Sequence, residues 1–558
     1  MNPNPLAPIA AGERTNIRAL EEVQPEDVPA SEIVARIGSP WVPKSVYEDF
    51  ARHLFGDETE ANVRYIKESG SFIAAITPGN AVANTSTYGT QKMDGSAILQ
   101  ALLNNRPVRV TFRDSEGKTH VDQEGTDQAN EKAQAIRDKF QDWLFADGDR
   151  AEVLVRAYND TNNNYVTRVY DGERMTFPGK VPDEIVKFRR HQRNAIARTV
   201  QDRTALYDHV VGSGKTFTVI ASAMELRRTG LAKKPMIAVP NHLVKQWAAD
   251  FYRLYPGANI LTATKDDFKR QNRRKFLAKA ATGDWDAIII AHSSFGFIRS
   301  APEFEEQFNR KEIDKIVAAI ESVEADADSD KQQKRRTVKQ LEGLKERLEN
   351  RIKSLRDRPM DDLLDFDQLG VDQLFVDEFH LFKNLMFSTK MQNVQGLGDP
   401  TGSQRAYDML LKIGQIFAKN GRDQGFVAAT GTPVSNSLAE MYHMMRYLMP
   451  TQMEALGFTS FDAWANTFAS VEQVWMQKPS AEGFKASSRM STFVNTPELL
   501  KMFDQVSDTV TMDNIKAAFA EENGGAEFPL PKIKGGRRTP ISLEKTPAQE
   551  AYMKELAE

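Results

Sequence analysis

"ALYDHVVGSGKTFTVIASAMEL", residues 205–226, decides how the rest of the chain is read. An apolar run, a glycine turn and a helix closing at Gly230 follow one another. That order suits a phosphate-binding loop of the pattern G-x-x-x-x-G-K-[ST]. The spelling departs at one place, because His209 stands where the first glycine belongs. In such a loop Gly212, Ser213 and Gly214 bring backbone N–H groups to the phosphates of ATP, and the helix start adds partial positive charge. Lys215 reaches the β- and γ-phosphates and Thr216 holds Mg²⁺ through its hydroxyl. A chance Gly-Ser-Gly-Lys-Thr turn would read the same, so support has to come from elsewhere in the chain.

It comes from "LFVDEFHLFKN", which places Asp377 and Glu378 just past an apolar strand. In an open parallel sheet, ligands bind beyond the carboxyl ends of the strands, where the phosphate loop also lies. Asp377 is then placed to hold Mg²⁺, and Glu378 to orient and deprotonate an attacking water. An acidic pair that merely caps the next helix is the plainer alternative. Upstream, "FRRHQRNAIARTV" offers the Gln192 amide to an adenine edge. Downstream, "AATGTPVSNSLAEM" leaves another strand through Thr430, Gly431 and Thr432, a polar turn suited to sensing the γ-phosphate.

Around these motifs the texture is that of short apolar strands separated by helices. "PMIAVP", "DAIIIAHS", "QLFVDEF" and "GFVAATG" join "ALYDHVV" as strands, with "HLVKQWAADFYRLY" among the helices. This predicts a doubly wound α/β domain over 183–450, with a parallel sheet covered on both faces. Residues 301–360 interrupt it with two apolar stripes, Ile313, Ile316, Ile320, Val323 and then Val338, Leu341, Leu344, Leu348, Ile352, Leu355. The three–four spacing predicts a coiled-coil helical insertion turning at "EADADSD", either a solvated spacer or an arm that touches DNA or a partner.

Residues 1–35 read as a flexible lead-in rich in Pro, Ala and acids. Residues 36–182 read as an α+β accessory domain, with a hairpin turning at Glu116-Gly117 and Ile136, Phe140, Trp143 and Leu144 on one helical face. A helical segment is expected over 451–527.

Composition excludes several classes. The 558 residues hold no cysteine, so disulfides, thiolate catalysis and cysteine-bound zinc are ruled out. Six of the eight histidines lie in or near the motifs, but none shows zinc-ligand spacing. Apolar residues at 41% and charged residues at 27% are ordinary for a globular protein, and a formal charge of −4 gives no global nucleic-acid signature. No stretch is apolar for long enough to span a membrane, and the first residues lack signal-peptide character, so a cytoplasmic protein is expected.

Taken in order, "DHVVGSGKT", "VPNHLVKQW", "IIIAHSSF", "VDEFHLFKN" and "ATGTPVSNS" resemble the first ATPase lobe of superfamily-two helicases, which is RecA-like. The Swi/Snf-like branch is most similar, since it tolerates a non-glycine at the position of His209. The resemblance implies DNA-dependent ATP hydrolysis, with Lys215, Asp377 and Glu378 catalytic and His380 linking nucleotide to coupling motif. It also implies that Asn241, His242, Lys245, Ser293 and Ser294 grip the backbone of double-stranded DNA without sequence preference, although Asn241 and Ser293 would serve equally as helix caps.

Flanking segments, including "NNNYVTRVYDGERMTFPG" and "FDAWANTFASVEQVW", are similar to large phage- and plasmid-encoded DNA methylase–helicase proteins, some of them antirestriction proteins. A methyltransferase module as partner follows from that likeness. The chain itself contains no Asn/Asp-Pro-Pro-Tyr/Phe methylase motif, so no methylase role carries over.

Residues 528–558 resemble the opening of a second helicase lobe, and no arginine-finger motif follows. Such an arginine contributes about 10³–10⁵ in rate where it has been measured. This chain alone is therefore expected to hydrolyse ATP poorly unless the second lobe is supplied in cis or trans. A nucleotide- and DNA-binding clamp and an RNA remodeller remain the alternatives.

Overall fold

The computed structural model describes residues 24–66, 70–113, 119–163, 166–325, 331–356, 364–389, 391, 394–435, 437–477, 484–529, 541 and 543–555. The Glu116-Gly117 turn, most of "EADADSD", the greater part of the lead-in and residues 530–540 lie outside them.

The centre is a seven-stranded, all-parallel sheet. Its strands are β1 (Thr204–His209), β2 (Pro235–Val239), β3 (Ile260–Thr262), β4 (Ala287–Ala291), β5 (Gln373–Asp377), β6 (Phe426–Thr430) and β7 (Ser507–Val510). They are ordered β7-β1-β6-β5-β2-β4-β3. Strands buried on both faces need unbroken apolar runs, and every residue of β2, β4, β5 and β6 is buried.

The period of two divides those side chains between two cores. Tyr207, Ile237, Ile289, Phe375 and Val427 face a layer containing Val219 of helix α1 (Lys215–Arg228) and Trp247 and Phe251 of helix α2 (Val244–Leu254). Leu206, Ala238, Ile290, Leu374, Val376 and Ala428 face the opposite layer with Met409 and Ile413. Those two residues belong to helix Gln404–Asn420, which ends on Gly421 in the left-handed conformation. This is the expected doubly wound, RecA-like arrangement.

The insertion forms helices Pro302–Ala325 and Lys331–Arg356, packed side by side through Ile316, Ala319, Val323, Leu341, Leu344 and Leu348. Its base is pinned to the lobe where Tyr407 Oη meets Asn309 Oδ1 at 2.5 Å and Arg446 Nη2 meets Glu312 Oε2 at 3.2 Å.

The N-terminal unit is α+β. An antiparallel pair, Glu60–Ile66 with Ser71–Thr77, and a second, Thr111–Arg113 with Thr119–Val121, accompany four α-helices among the described residues. Ile136, Phe140 and Leu144 enter its core with Phe50, Phe55 and Ile98. Trp143 stays partly buried with the Arg150 guanidinium 3.7 Å over its ring.

Helices do form in 451–527, yet strands interleave with them. Ala469–Gln477 and Phe484–Phe493 make a long antiparallel hairpin, and β7 then returns to complete the central sheet beside β1. Among the described residues, no helix is long and apolar enough to cross a membrane.

Candidate functional site

Because all seven strands are parallel, the loops after β1, β2, β4, β5 and β6 emerge at one edge of the sheet. β6 lies between β1 and β5, so the turn after Thr430 stands between the phosphate loop and the acidic pair.

Gly212 and Gly214 have φ of 87° and 91°, a conformation that strains side-chain-bearing residues, and Gly214 caps helix α1. A Cβ on Gly214 would fall 2.7 Å from Gln192 Nε2. Lys215 and Thr216 begin the helix, half-buried, and Ser213 is buried. Lys215 Nζ folds back on the His209 carbonyl oxygen at 2.7 Å. Burial pushes its pKa down, while Asp377, Glu378 and Asp208 oppose that shift.

Asp377 ends β5 and is 8% exposed. Burial, reinforced by the neighbouring Glu378 charge, raises its carboxyl to about 6, although Lys215 and a hydrogen bond from Trp247 pull the other way. Trp247 is thus both core, as its helical face predicts, and a partner of the acid. Glu378 takes a left-handed conformation, φ 51°, and turns the chain into a single 3₁₀ turn, Phe379–Phe382. That turn brings His380 Nδ1 to 3.1 Å from Glu378 Oε2 and 3.2 Å from Thr430 Oγ1.

The β6 turn closes the arrangement. Thr430 is fully buried and its hydroxyl accepts from the Thr432 amide at 3.2 Å. A Cβ on Gly431 would lie 3.1 Å from the His209 carbonyl oxygen and 3.8 Å from Lys215 Nζ. The motifs are tied once more by Lys383 Nζ, 2.5 Å from Ser435 Oγ and 3.0 Å from Glu440 Oε1.

Gln192 is 5% exposed, and its amide is engaged by the protein itself. Nε2 donates to the Gly214 carbonyl at 3.2 Å and to Thr218 Oγ1 at 3.4 Å, while Oε1 accepts from the Arg189 amide at 3.0 Å. In this state it braces the phosphate loop.

On the neighbouring loops, Asn241 Oδ1 accepts from Ser293 N at 3.2 Å and Ser293 Oγ at 3.0 Å, joining the exits of β2 and β4. His242 and Lys245 are exposed beside them. Ser294 departs from expectation: it is 5% exposed, because β4 runs directly into the one-turn helix His292–Phe295 and turns this residue inward.

The departure at His209 has a structural partner the sequence did not reveal. Its ring is fully buried, stacked 5.2 Å from Tyr207, and Nε2 lies 2.6 Å from Asp508 Oδ2 on β7. His191 stands edge-on at 6.1 Å and its Nε2 meets the Ser213 carbonyl at 2.9 Å. The one available signal was the missing glycine; nothing in the spelling of "SDTV" pointed back to it.

The donor set fits a magnesium–nucleotide complex. Two adjacent carboxylates, one with its pKa driven up, face a lysine that rests on backbone carbonyls, so a divalent cation with bound phosphates would relieve both mismatches. Among the described residues no three His, Asp or Glu side chains converge on one point.

Residues 198–511, more than half of the chain, match a family model described as a probable helicase domain. Residues 36–164 match a domain of unknown function, DUF8437. No curated protein matches the chain. Among solved structures, the Sulfolobus solfataricus SWI2/SNF2 ATPase core in complex with dsDNA aligns over 51% of this chain and 40% of its own length. Identity there is 11% and the TM-score 0.28.

Proposed function

Because the chain belongs to the family of probable helicase domains, we propose that it is the nucleotide-binding lobe of an ATP-driven motor acting on double-stranded DNA. The observation that carries this reading is the turn after β6, which touches both halves of the site. Gly431 lies against Lys215 and the phosphate-loop strand, while Thr430 meets His380 beside Glu378. A phosphate gained or lost between Lys215 and Glu378 would therefore be felt at Thr430.

In this reading the backbone of Gly212–Gly214 and Lys215 hold the phosphates of ATP, and Thr216 and Asp377 hold Mg²⁺. The bound ion supplies charge neutralisation on the phosphate oxygens. Glu378 orients the attacking water and accepts its proton, and His380 fixes the Glu378 carboxylate on one side and Thr430 on the other. Asn241, His242, Lys245 and Ser293 form the backbone-gripping face; their polar, mostly uncharged groups suit phosphates rather than base edges. Motif order supports a Swi/Snf-like kinship, the likeness of residues 528–558 supports a second lobe in cis or trans, and the flanking segments support an origin among phage or plasmid methylase–helicase proteins.

The test is ATP turnover with and without duplex DNA, for the native chain and Glu378→Gln, alone and with a second lobe added. Removing a general base is expected to lower turnover about 10²–10⁴-fold while nucleotide binding persists. Equal turnover by the variant would reject Glu378. Nucleotide binding without any turnover, even with DNA and the second lobe, would make the chain a clamp instead.

A further inference from the structure

The helical arm inserted between β4 and β5 divides its charge unevenly. Its first helix, Pro302–Ala325, exposes Glu303, Asp314 and Glu321 against Arg310 and Lys311. The second, Lys331–Arg356, exposes Arg335, Arg336, Lys339, Arg347 and Lys353 against Glu342 and Glu346. Among the described residues, none of those cations of the second helix makes a side-chain hydrogen bond or ion pair.

Arg336, Gln340, Gly343, Arg347, Asn350 and Ser354 recur at three–four spacing, so they share one side of that helix. Leu341, Leu344 and Leu348, which pack on the first helix, point elsewhere. The shared side holds donors and no carboxylate, and Lys339 borders it. From Arg336 to Ser354 it extends about 27 Å, the length of roughly eight base pairs. Gly343 stands at its middle. Glycine inside a helix is destabilising relative to alanine, and a Cβ here would meet nothing within 4 Å, so packing within the chain does not ask for it. The bare backbone leaves room for something outside the chain to lie close.

The arm stands on the edge of the sheet that carries the nucleotide loops. Arg351 Nη2 donates to Gln404 Oε1 at 2.5 Å, and its guanidinium lies 3.8 Å over the Tyr407 ring. Both partners begin helix Gln404–Asn420. The start of that helix is tied past the exit of β5 by Ser403 N to Asn384 O at 2.8 Å, and its end to the entry of β5 by Asn420 Nδ2 to Asp372 O at 3.2 Å. The exit of β4 leads from Ser293 to Pro302, where the arm begins.

We propose that this side of the arm is a contact for duplex DNA. Arg336, Lys339 and Arg347 hold phosphates of one strand, and Gly343 lets that backbone lie against the helix. Charge complementarity selects the occupant, since unpaired cations with amide and hydroxyl donors and no acid between them suit a phosphate chain. The identity of the polyanion rests on the motor reading; the arm adds where the duplex runs beyond the loops of Asn241 and Ser293.

The test titrates a labelled duplex with the full chain by anisotropy, at salt from about 50 to 200 mM. The triple change Arg336→Gln/Lys339→Gln/Arg347→Gln should weaken binding about tenfold or more and lower the slope of log K against log salt by about 2–3, roughly one per lost phosphate contact. Gly343→Glu, which alters no cation and favours the helix, should weaken binding about fivefold or more with the melting temperature kept or raised. Lys44→Gln/Arg64→Gln/Lys139→Gln removes the same charge from exposed positions of the N-terminal unit and should leave affinity within about threefold. Duplex binding that the arm triple leaves within twofold, or that the control triple weakens equally, would overturn the arm contact alone. A native chain that binds no duplex would overturn the motor reading and this inference together.

Discussion

Replacing His209 by glycine would restore the usual first residue of a phosphate loop, and in this protein it should loosen the sheet. The fully buried ring donates from Nε2 to the Asp508 carboxylate at 2.6 Å and stacks on Tyr207. A hydrogen bond to a charged partner contributes about 1.5–3 kcal/mol. Burial of the ring adds about 1–2 kcal/mol, and glycine in a strand costs a further 0.5–1 kcal/mol or so. Asp508 keeps 21% of its side chain exposed and regains water when the ring is gone, which offsets part of the loss.

A net cost of about 3 kcal/mol remains, concentrated on β7, which is otherwise held to β1 by backbone bonds such as Val210 N to Val510 O at 2.9 Å. That cost corresponds to roughly hundredfold faster local opening. Amide hydrogen exchange of a peptide spanning residues 505–511 reads it directly, with His209→Asn as a control that keeps a donor toward Asp508. Exchange in His209→Gly within about threefold of the native rate would refute the argument that this histidine clamps β7 to β1.

Thr430→Val keeps the shape of the side chain and removes the oxygen 3.2 Å from His380. The same oxygen accepts from the Thr432 amide; losing the His380 bond alone, about 1 kcal/mol, should reduce DNA stimulation of ATP turnover at least roughly fivefold with nucleotide affinity unchanged, measured by phosphate release. Asp377 has its pKa raised to about 6 by burial and by Glu378, so the folded chain holds this proton more tightly than the unfolded one. The stabilisation is present below the unfolded carboxylate value near 3.8 and is lost as pH rises through about 6. Thermal melts should therefore show Asp377→Asn gaining on the native chain between pH 4 and 7.

Lys412 is fully buried, 2.5 Å from Asp408 and 3.0 Å from the Phe295 carbonyl. Asp408→Ala leaves that ammonium without its counter-charge and should cost about 3–5 kcal/mol in urea unfolding, more than Lys412→Met, which removes the charge itself.

The sequence made most of the sheet legible because four of its strands are short, predominantly apolar runs bounded by turns, the pattern of a doubly covered sheet. It made the acidic pair and the lysine legible because a strand followed by those residues has few other uses. β7 was hidden for the opposite reason. "SDTV" carries one apolar residue, and its place beside β1 depends on pairing with a strand about 300 residues earlier and on the His209–Asp508 contact. The hairpin Ala469–Phe493 was equally opaque, since its alternation is broken by polar runs. Ser294 was misjudged because a loop spelled Ser-Ser does not say which hydroxyl the following turn sends inward. The sequence offered the Gln192 amide to an adenine edge and could not show that the carbonyl of Gly214 would occupy it.

The sheet order also dictates a timetable. Both neighbours of β1 arrive late, β6 at Phe426 and β7 at Ser507. As a ribosome extends the chain, the strand that carries the phosphate loop has neither flank to pair with until over 200 further residues have been made, on the order of ten to forty seconds at usual synthesis rates. Through that interval its aliphatic surface is an uncovered ribbon edge, and the nucleotide pocket cannot exist. Until β6 has been made the chain has no assembled site, and its uncovered strand is the surface a chaperone would shield.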